Sequence, residues 1–548
     1  MLCCLSACKK GSDPAPTPVV PAKTVSVKNI SIDVVPFTSM VYNISPTANI
    51  LVRFSEPVTP ATVTSAVSLK DASGANIPVT ITLQNGDSNV LVKPSAALPF
   101  LAKYNFKISD AIRSASGGGF TTPVNNNFLT KIDSSSKFPL LTDEALLDLV
   151  QKQTFKYFWD FGHPTSGLAR ERSNNDNNVV TSGGSGFGIM SIITAISRGF
   201  ITKAEGFARI QKITGFLKNT ATTVKGAYPH WLNGTTGAVI PFSQKDDGAD
   251  LVETSYLVQG LLCARQYFNS ADASETTLRA DINTICNRVE WSFFRESLED
   301  VLSWHYSNTY DFQMNLKIRG WNECLVTYVL AASSTTHPIA ASTYENGWAE
   351  NGPNGFTNGN TYLGYLLPLG PPYGGPLFFA HYSFLGINPT GLKDQFADYT
   401  IQNKNHTLIN YTYCVNNPLG YFGYSDQCWG LTASDIPNNY TASSPTNDVG
   451  VIAPTAALSS FPYTPVESMK ALKFFYYTLG DKLFKEYGFI DAFALKEPWF
   501  AASHLAIDQG PIIVMIENYR SGLLWNLFTS CPEVKAGMKK LGFTAPYL

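Results

Sequence analysis

Apolar and polar positions follow two successive periods along the chain. Between residues 25 and 131 they alternate in short runs, among them VSVKNISIDVV, ANILVRFS, VTITL, NVLVKP and YNFKIS, with turn clusters closely spaced between them. Period two in runs this short predicts a small β-sandwich, and no strong helical signal interrupts it. After a Ser-rich linker at 131–137 the spacing becomes i, i+3, i+4. Leu146, Leu147, Val150, Phe155, Phe158 and Trp159 put a helix over 144–161, and 186–200 with 202–218 reads as a helical hairpin. Helices are also expected over 251–268, 275–296, 321–334, 392–412, 466–485 and 509–530. Thr202-x-x-Glu205 and Thr464-Pro465-Val466-Glu467 have the form of capping boxes, the second with Pro in the first helical position, so two helix starts are marked.

The helical stretch, 138–548, is punctuated by long Gly/Tyr/Asn-rich loops at 341–393 and 416–465. Loops of that length in a compact domain are usually functional. Helical hairpins closed into a ring would gather them around one mouth, so an all-α (α/α)6 toroid is expected, with a helical solenoid as the rival that periodicity does not separate. Upstream, residues 9–24 form a Pro-rich, extended tether. Residues 1–8 end in Leu5-Ser6-Ala7-Cys8, which resembles a bacterial lipobox although a basic n-region and a full apolar h-region are absent. That reading has Cys8 lipidated and the chain anchored in the cell envelope, periplasmic or on the outer-membrane surface. No later stretch reaches about 18 uninterrupted apolar residues.

Composition narrows the function. The 548 residues carry 40 basic and 42 acidic side chains, a net charge of −2, which excludes the basic footprint that nucleic acid demands. Apolar residues make up 44% and aromatics 13%, with 26 Tyr, 34 Phe and 9 Trp, more rings than a core alone usually takes. Aromatic-rich, weakly charged surfaces suit neutral ring-shaped ligands such as sugars. The cysteines beyond Cys8 have no metal-finger spacing and read as small buried hydrophobes, although Cys414 and Cys428 flank a loop across which they could pair. The seven histidines show no HExxH spacing and no Gly-x-Ser-x-Gly elbow accompanies them, which argues against a zinc or Ser-His-Asp hydrolase.

The densest chemical signal is Asp246-Asp247-Gly248-Ala249-Asp250-Leu251-Val252-Glu253, with no Lys or Arg from there to Arg265. Helical spacing puts Asp250 and Glu253 on one face with Asp246 about a turn earlier, and clustered carboxylates raise one another's pKa. Acids that merely complement a helix dipole would look the same. Glu323, beside Trp321 and Asn322 at the start of another apolar helix, supplies a second, separate carboxyl. Two carboxyl groups flanking the scissile bond are what glycoside hydrolysis needs. Clusters suited to sugar contact are Arg170-Glu171-Arg172, Ser182–Gly188, Tyr228-Pro229-His230-Trp231 and Tyr421-Phe422-Gly423-Tyr424, which make Arg172, Trp231 and Tyr424 candidate substrate ligands. Asp508-Gln509-Gly510 and Glu517-Asn518 frame an apolar helix and fit a pocket wall or satisfied helix ends equally well.

Two resemblances follow. Val52-Arg53-Phe54-Ser55-Glu56-Pro57-Val58, Leu91-Val92-Lys93-Pro94, Leu98, Tyr104 and Asn127-Phe128-Leu129-Thr130 make residues 25–131 similar to bacterial Ig-like domains, which implies a spacer or accessory module. Ser185-Gly186-Phe187-Gly188, Val252-Glu253-Thr254-Ser255, Trp321-Asn322-Glu323, Cys428–Asp435, Ala453–Ala457, Tyr487-Gly488-Phe489 and Asp508-Gln509-Gly510-Pro511 make about 140–548 resemble the glucoamylase-like domain. More narrowly they resemble the bacterial β-1,2-glucanases of glycoside hydrolase family 144. That resemblance implies a toroid, hydrolysis of β-1,2-glucan or sophorooligosaccharides with anomeric inversion, and no metal or other cofactor. Carried over by motif, the acidic site residues are Asp246, Asp250, Glu253 and Glu323, with Trp321, Trp429, Thr432 and Asp435 near the substrate. Glu253, preceded by the apolar Leu251 and Val252, is the expected proton donor, with Asp250 or Glu323 activating water. A monomer is expected. The rival readings are a non-catalytic glycan-binding lipoprotein and a toroid hydrolase for another β-glucan.

Overall fold

The alternating segment folds because each of its short runs has one apolar face to bury. The structure, a computed structural model, describes residues 21–352 and 356–548. Cys8, the lipobox and residues 9–20 of the tether lie outside them. The chain divides into two units, Met1–Asp133 and Ser134–Leu548. In the first, strands β1 (Val27–Ile32), β2 (Val35–Pro36), β3 (Met40–Ile44), β4 (Ile50–Phe54), β5 (Val67–Asp71), β6 (Val79–Gln84), β7 (Asn89–Pro94), β8 (Lys103–Ile108) and β9 (Val124–Thr130) make two sheets, ordered β2-β1-β4-β7-β6 and β3-β9-β8-β5. Ile50, Val52 and Phe54 of β4 and Tyr104, Phe106 and Ile108 of β8 point into the core while Arg53 and Lys107 face out. Phe37, Phe106 and Phe128 meet there with ring centroids 6.0 Å apart. The sequence reading missed one element, helix α1 (Pro60–Ala66), whose 7 residues are too few to show a period.

The second unit is helical: α2 (Asp143–Trp159), α3 (Ser182–Ser197), α4 (Lys203–Asn219), α5 (Leu251–Tyr267), α6 (Ala273–Asn287), α7 (Leu325–Ser333), α8 (Tyr399–Asn416), α9 (Pro454–Leu458), α10 (Pro465–Lys473), α11 (Gly480–Leu483), α12 (Ala506–Ser521), α13 (Leu523–Ser530) and α14 (Pro532–Lys540). Helices α3, α5, α7 and α12 are buried almost all round, as uniformly apolar helices must be, whereas α2, α4, α6 and α14 keep a polar face. α3 packs against α5 and α12, α5 against α7 and α13, α4 against α6, and α7 against α14. Among the described residues no helix is long and apolar enough to cross a membrane.

Helix ends depart from expectation for identifiable reasons. The capping box at Thr202 and Glu205 forms with both of its reciprocal bonds. The one expected at Thr464 does not: its side chain caps nothing, and Pro465 alone marks the start of α10. The helix expected over 509–530 breaks at Gly522, whose φ of 69° ends α12, and Asn518 Oδ1 accepts the Leu524 and Trp525 N–H groups to open α13. Glu517 is buried against Arg198, with Nε to Oε2 2.6 Å, so the Glu517-Asn518 pair satisfies helix ends and buried charge. α3 begins at Ser182, so the glycine-rich run read as a sugar-contacting cluster is its first two turns. The glycines allow close crossing: a β-carbon at Gly186 would sit 2.1 Å from the Tyr256 carbonyl oxygen, and one at Gly260 2.2 Å from that of Gly186. The six described cysteines are free, Cys414 and Cys428 included.

Gly186→Ala is expected to destabilise the helical unit by about 1–3 kcal/mol, because backbone rather than a flexible side chain must give way. An unchanged thermal midpoint would contradict the close crossing of α3 and α5.

Candidate active site

The first turn of α3 points at α5, and the contact between them builds the centre of the site. Glu253 is the third residue of α5, and its Oε2 accepts the Gly183 N–H at 2.8 Å and the Thr181 hydroxyl at 3.1 Å. Only glycine fits at 183, since a β-carbon there would lie 2.5 Å from that carboxylate oxygen. An unpaired N–H at a helix start is a natural anion partner. Glu323 arrives from a turn before α7. There Asn322 Oδ1 accepts the Cys324 N–H at 3.0 Å and the Trp348 indole N–H at 3.3 Å, while the Glu323 carbonyl accepts the Ser383 hydroxyl. Both carboxyl groups face one cleft of about 430 Å³, whose wall also includes Glu171, Arg172, Trp231, Trp304, Phe378, Tyr382 and Tyr440.

Burial raises both carboxyl groups, with different opposition. Glu323 is pushed up to about 7 by burial, and the charges of Glu253 and Asp250 add to it. Burial raises Glu253 as well, but the His230 charge, the Gly183 N–H and the Thr181 hydroxyl all draw it toward the ionised form. Asp250 has another task. Its Oδ1 caps α5 by accepting the Val252 and Glu253 N–H groups, at 3.0 and 2.9 Å, and its Oδ2 lies 3.0 Å from His230 Nδ1. Burial opposes its charge, yet His230 and His305 hold it well below the usual carboxylate range. With both oxygens engaged, Asp250 positions α5 and does not reach the cleft as the expected water activator. Asp246 is likewise set back, its Oδ2 3.3 Å from His305 Nε2. A short ribbon that pairs Asp250 with His305 brings that second histidine in. His230, Asp246 and Asp250 have ligand-type atoms within 4.8 Å of one another, so they could hold a metal ion.

A second acidic group, of which the sequence did not single out Asp491, joins the cleft wall through Glu171 and Arg172. Arg172 joins Glu171, Nε to Oε2 2.9 Å, to Asp435, Nη1 to Oδ1 3.0 Å. The Asp435 N–H donates to Asp491 Oδ2 at 2.7 Å, and Asp508 lies beside Asp491. Burial pushes Asp491 up to about 7 against a hydrogen bond from Asp508 that favours its ionised form, with the Asp435 charge adding to the rise, and burial pushes Asp508 well above its usual range, helped by the charge of Asp491. Thr432 works one step back: its hydroxyl accepts the N–H of Phe378, which lines the cleft.

Three expected sugar contacts are core residues instead. Trp321 packs on Trp348, Phe384 and Tyr399; Trp429 is fully buried and donates its indole N–H to the Glu467 carbonyl; Tyr424 holds Asp448 at 2.8 Å. Large rings beside glycines carry no sign of whether they face a cleft or fill the interior. The residues missed, Trp304, Phe378, Tyr382 and Tyr440, come from segments without motifs, two of them from the long loop at 341–393 and one from that at 416–465.

Comparison with known proteins places this geometry. A family model described as "Putative glucoamylase" matches residues 315–532, and one for a bacterial Ig-like domain matches residues 27–130. The chain is 46% identical over 428 residues to an exo β-1,2-glucooligosaccharide sophorohydrolase (non-reducing end) of Parabacteroides distasonis, covering 74% of this chain but only 59% of that protein's length. It is 51% identical to an endo-β-1,2-glucanase from Chitinophaga pinensis solved with sophorotriose and glucose, covering 75% of this chain and 100% of that one with a TM-score of 0.73. A β-1,2-glucanase structure from Parabacteroides distasonis is 37% identical, covers 95% of this chain and 74% of its own, and has a TM-score of 0.72.

A carboxyl held protonated by the fold costs stability as pH rises. Asp491 ionises near 4 in the unfolded chain and near 7 when folded, so its penalty grows across that window. Asp491→Asn keeps an acceptor for the Asp435 N–H and is expected to match the parent at pH 4 and exceed it in denaturant unfolding at pH 8. The gain should accrue at about 1 kcal/mol per pH unit or less. A gain equal at both pH values would refute the buried acid pair.

Proposed function

The chain belongs to the glucoamylase-like family, and from that membership we propose that it is a glycoside hydrolase that cleaves β-1,2-glucan or its sophorooligosaccharides. The observation that carries this reading is the convergence of Glu253 and Glu323 on one aromatic-lined cleft. Relatives whose names specify β-1,2-glucooligosaccharides, at 46% and 51% identity, supply the linkage. The reading extends to the architecture, an (α/α)6 toroid in which α3, α5, α7 and α12 belong to the inner ring and α2, α4, α6 and α14 to the outer. It extends also to a monomer, lipid-anchored through Cys8 in the cell envelope.

In the chemistry proposed, the two glutamates exchange the roles expected from sequence. Glu323, whose carboxyl keeps its proton to about pH 7 because burial outweighs the one backbone N–H that favours its ionised form, protonates the glycosidic oxygen. Glu253, braced as a carboxylate by the Gly183 N–H and the Thr181 hydroxyl, takes the proton from the attacking water, directly or through a substrate hydroxyl. The family resemblance adds inversion at the anomeric carbon. The faces of Trp231 and Trp304 suit the C–H surfaces of glucose rings. The Tyr382 hydroxyl, buried at the cleft without a protein partner, is free to bond a sugar hydroxyl.

Glu253→Gln and Glu323→Gln should each lower turnover of a β-1,2-glucooligosaccharide by roughly 10²–10⁴-fold while the fold survives. Glu323→Gln alone should regain activity on an aryl β-sophoroside whose phenolate leaves without protonation. Product release on a panel of linkage-defined glucans, with early NMR of the anomer, checks linkage and stereochemistry. Saturable glycan binding with no product after long incubation would replace the enzyme with a binding protein.

For the parent enzyme, kcat/KM should fall as pH rises past about 7, where Glu323 loses its proton. A flat alkaline limb would remove Glu323 as the acid.

A further inference from the structure

Among the described residues, the aromatic ring most open to water belongs to the cleft. Phe242 is 50% exposed and lines the cleft, whereas Tyr519 and Phe100, at 44% and 42%, lie outside it. An isolated exposed ring is ordinary on a protein surface. Phe242 is neither isolated nor loose. It stacks on the His230 imidazole with centroids 4.3 Å apart and planes at 24°, and it meets Trp231 in a T-shaped contact at 4.8 Å. With His230 on one face, the other is left to the cleft. We propose that Phe242 is a sugar-binding platform outside the scissile bond, which takes one glucose ring of the chain on that face and so makes longer oligosaccharides better substrates. This role rests on the reading of the cleft as that of a β-1,2-glucan hydrolase and adds to it a residue that sets chain-length preference.

Three features fit the ring to that task. A pyranose presents a C–H face, and an aromatic ring binds it best when the ring is already held in place before the sugar arrives. His230 supplies the backing and is itself fixed, its Nδ1 3.0 Å from Asp250 Oδ2. The backbone under Phe242 is a closed turn: its N–H donates to the Asp246 carbonyl at 2.9 Å, and the Asp246 N–H donates to the Ser243 carbonyl at 3.1 Å. The platform also shares its mount with the reacting centre. Asp250 accepts the Val252 and Glu253 N–H groups at 3.0 and 2.9 Å, so phenyl ring, imidazole, aspartate and the start of α5 form one line of contacts that ends at Glu253. A glucose ring resting on Phe242 is thereby kept in register with that carboxylate. Because the platform lies away from the bond that breaks, it grips substrate and transition state alike, and its effect falls on KM.

The test is kcat and KM on β-1,2-linked sophorooligosaccharides of increasing length for the full-length protein, Phe242→Leu and Phe242→Tyr. Leucine keeps an apolar cover over His230 but offers no ring face; tyrosine keeps the face. In the unmodified protein kcat/KM should rise with length. Phe242→Leu should remove one step of that rise through a KM roughly 3–10-fold higher on the longer chains, the loss appearing in KM rather than kcat, and Phe242→Tyr should restore the step. A flat length dependence in the unmodified protein, one unaltered in Phe242→Leu, or loss of the step in Phe242→Tyr as well would each overturn the proposal and leave the hydrolase reading standing. Binding of the same oligosaccharides to Glu323→Gln with and without Phe242→Leu, followed by tryptophan fluorescence, repeats the comparison without turnover. Affinity that grows with length and falls in Phe242→Leu, in a protein that hydrolyses no glucan, would sustain the platform and overturn the hydrolase reading. No affinity for any sophorooligosaccharide would overturn both.

Discussion

The close crossing of α3 and α5 is the constraint from which the site follows. Glycine at 186 and 260 lets the two backbones approach, and glycine at 183 lets the first turn of α3 reach the Glu253 carboxylate. Any side chain at these positions would separate the helices and withdraw the N–H that braces Glu253. Asp250 caps the start of α5, just ahead of Glu253, which accepts from α3, and in turn fixes His230. A packing requirement and an electrostatic one are therefore met by the same few atoms.

The wall around Arg172 is built on a different principle. There carboxylates outnumber their one guanidinium: Arg172 serves Glu171 and Asp435, and Asp491 and Asp508 are left to hold their protons. Such a wall is costly to keep at neutral pH, and proteins commonly retain costly charge where it acts on a ligand. The cleft thus holds an acid braced by an N–H and a hydroxyl, Glu253, and is joined through Arg172 and Asp435 to a pair of acids buried beside each other.

Much of this was legible in the chain, and the failures have physical causes. The change from period two to period 3.6 located both units because burial of one face leaves that imprint wherever elements are regular. Glu253 stood out because its run of acids has no counter-charge before Arg265, and Glu323 because it sits beside Trp321 at the start of an apolar helix. The start of α3 was misread because glycine's low helix propensity was overridden by the packing that selects it. Trp321, Trp429 and Tyr424 were misplaced because an aromatic ring serves a core and a sugar equally. His305 and Asp491 carried no local signal, since their neighbours are brought to them only by the fold.

The hairpin Ala433–Ile436 and Asn439–Ala442 is tied through Asp435, which meets Arg172, Asp491 and the Ser503 hydroxyl, while its tip at Pro437 and Asn438 is exposed. Insertions at that tip would raise or lower the rim of the cleft without disturbing the anchored acids below. The reach of the cleft rim beside Tyr440 can in this way change while the residues beneath it stay as they are.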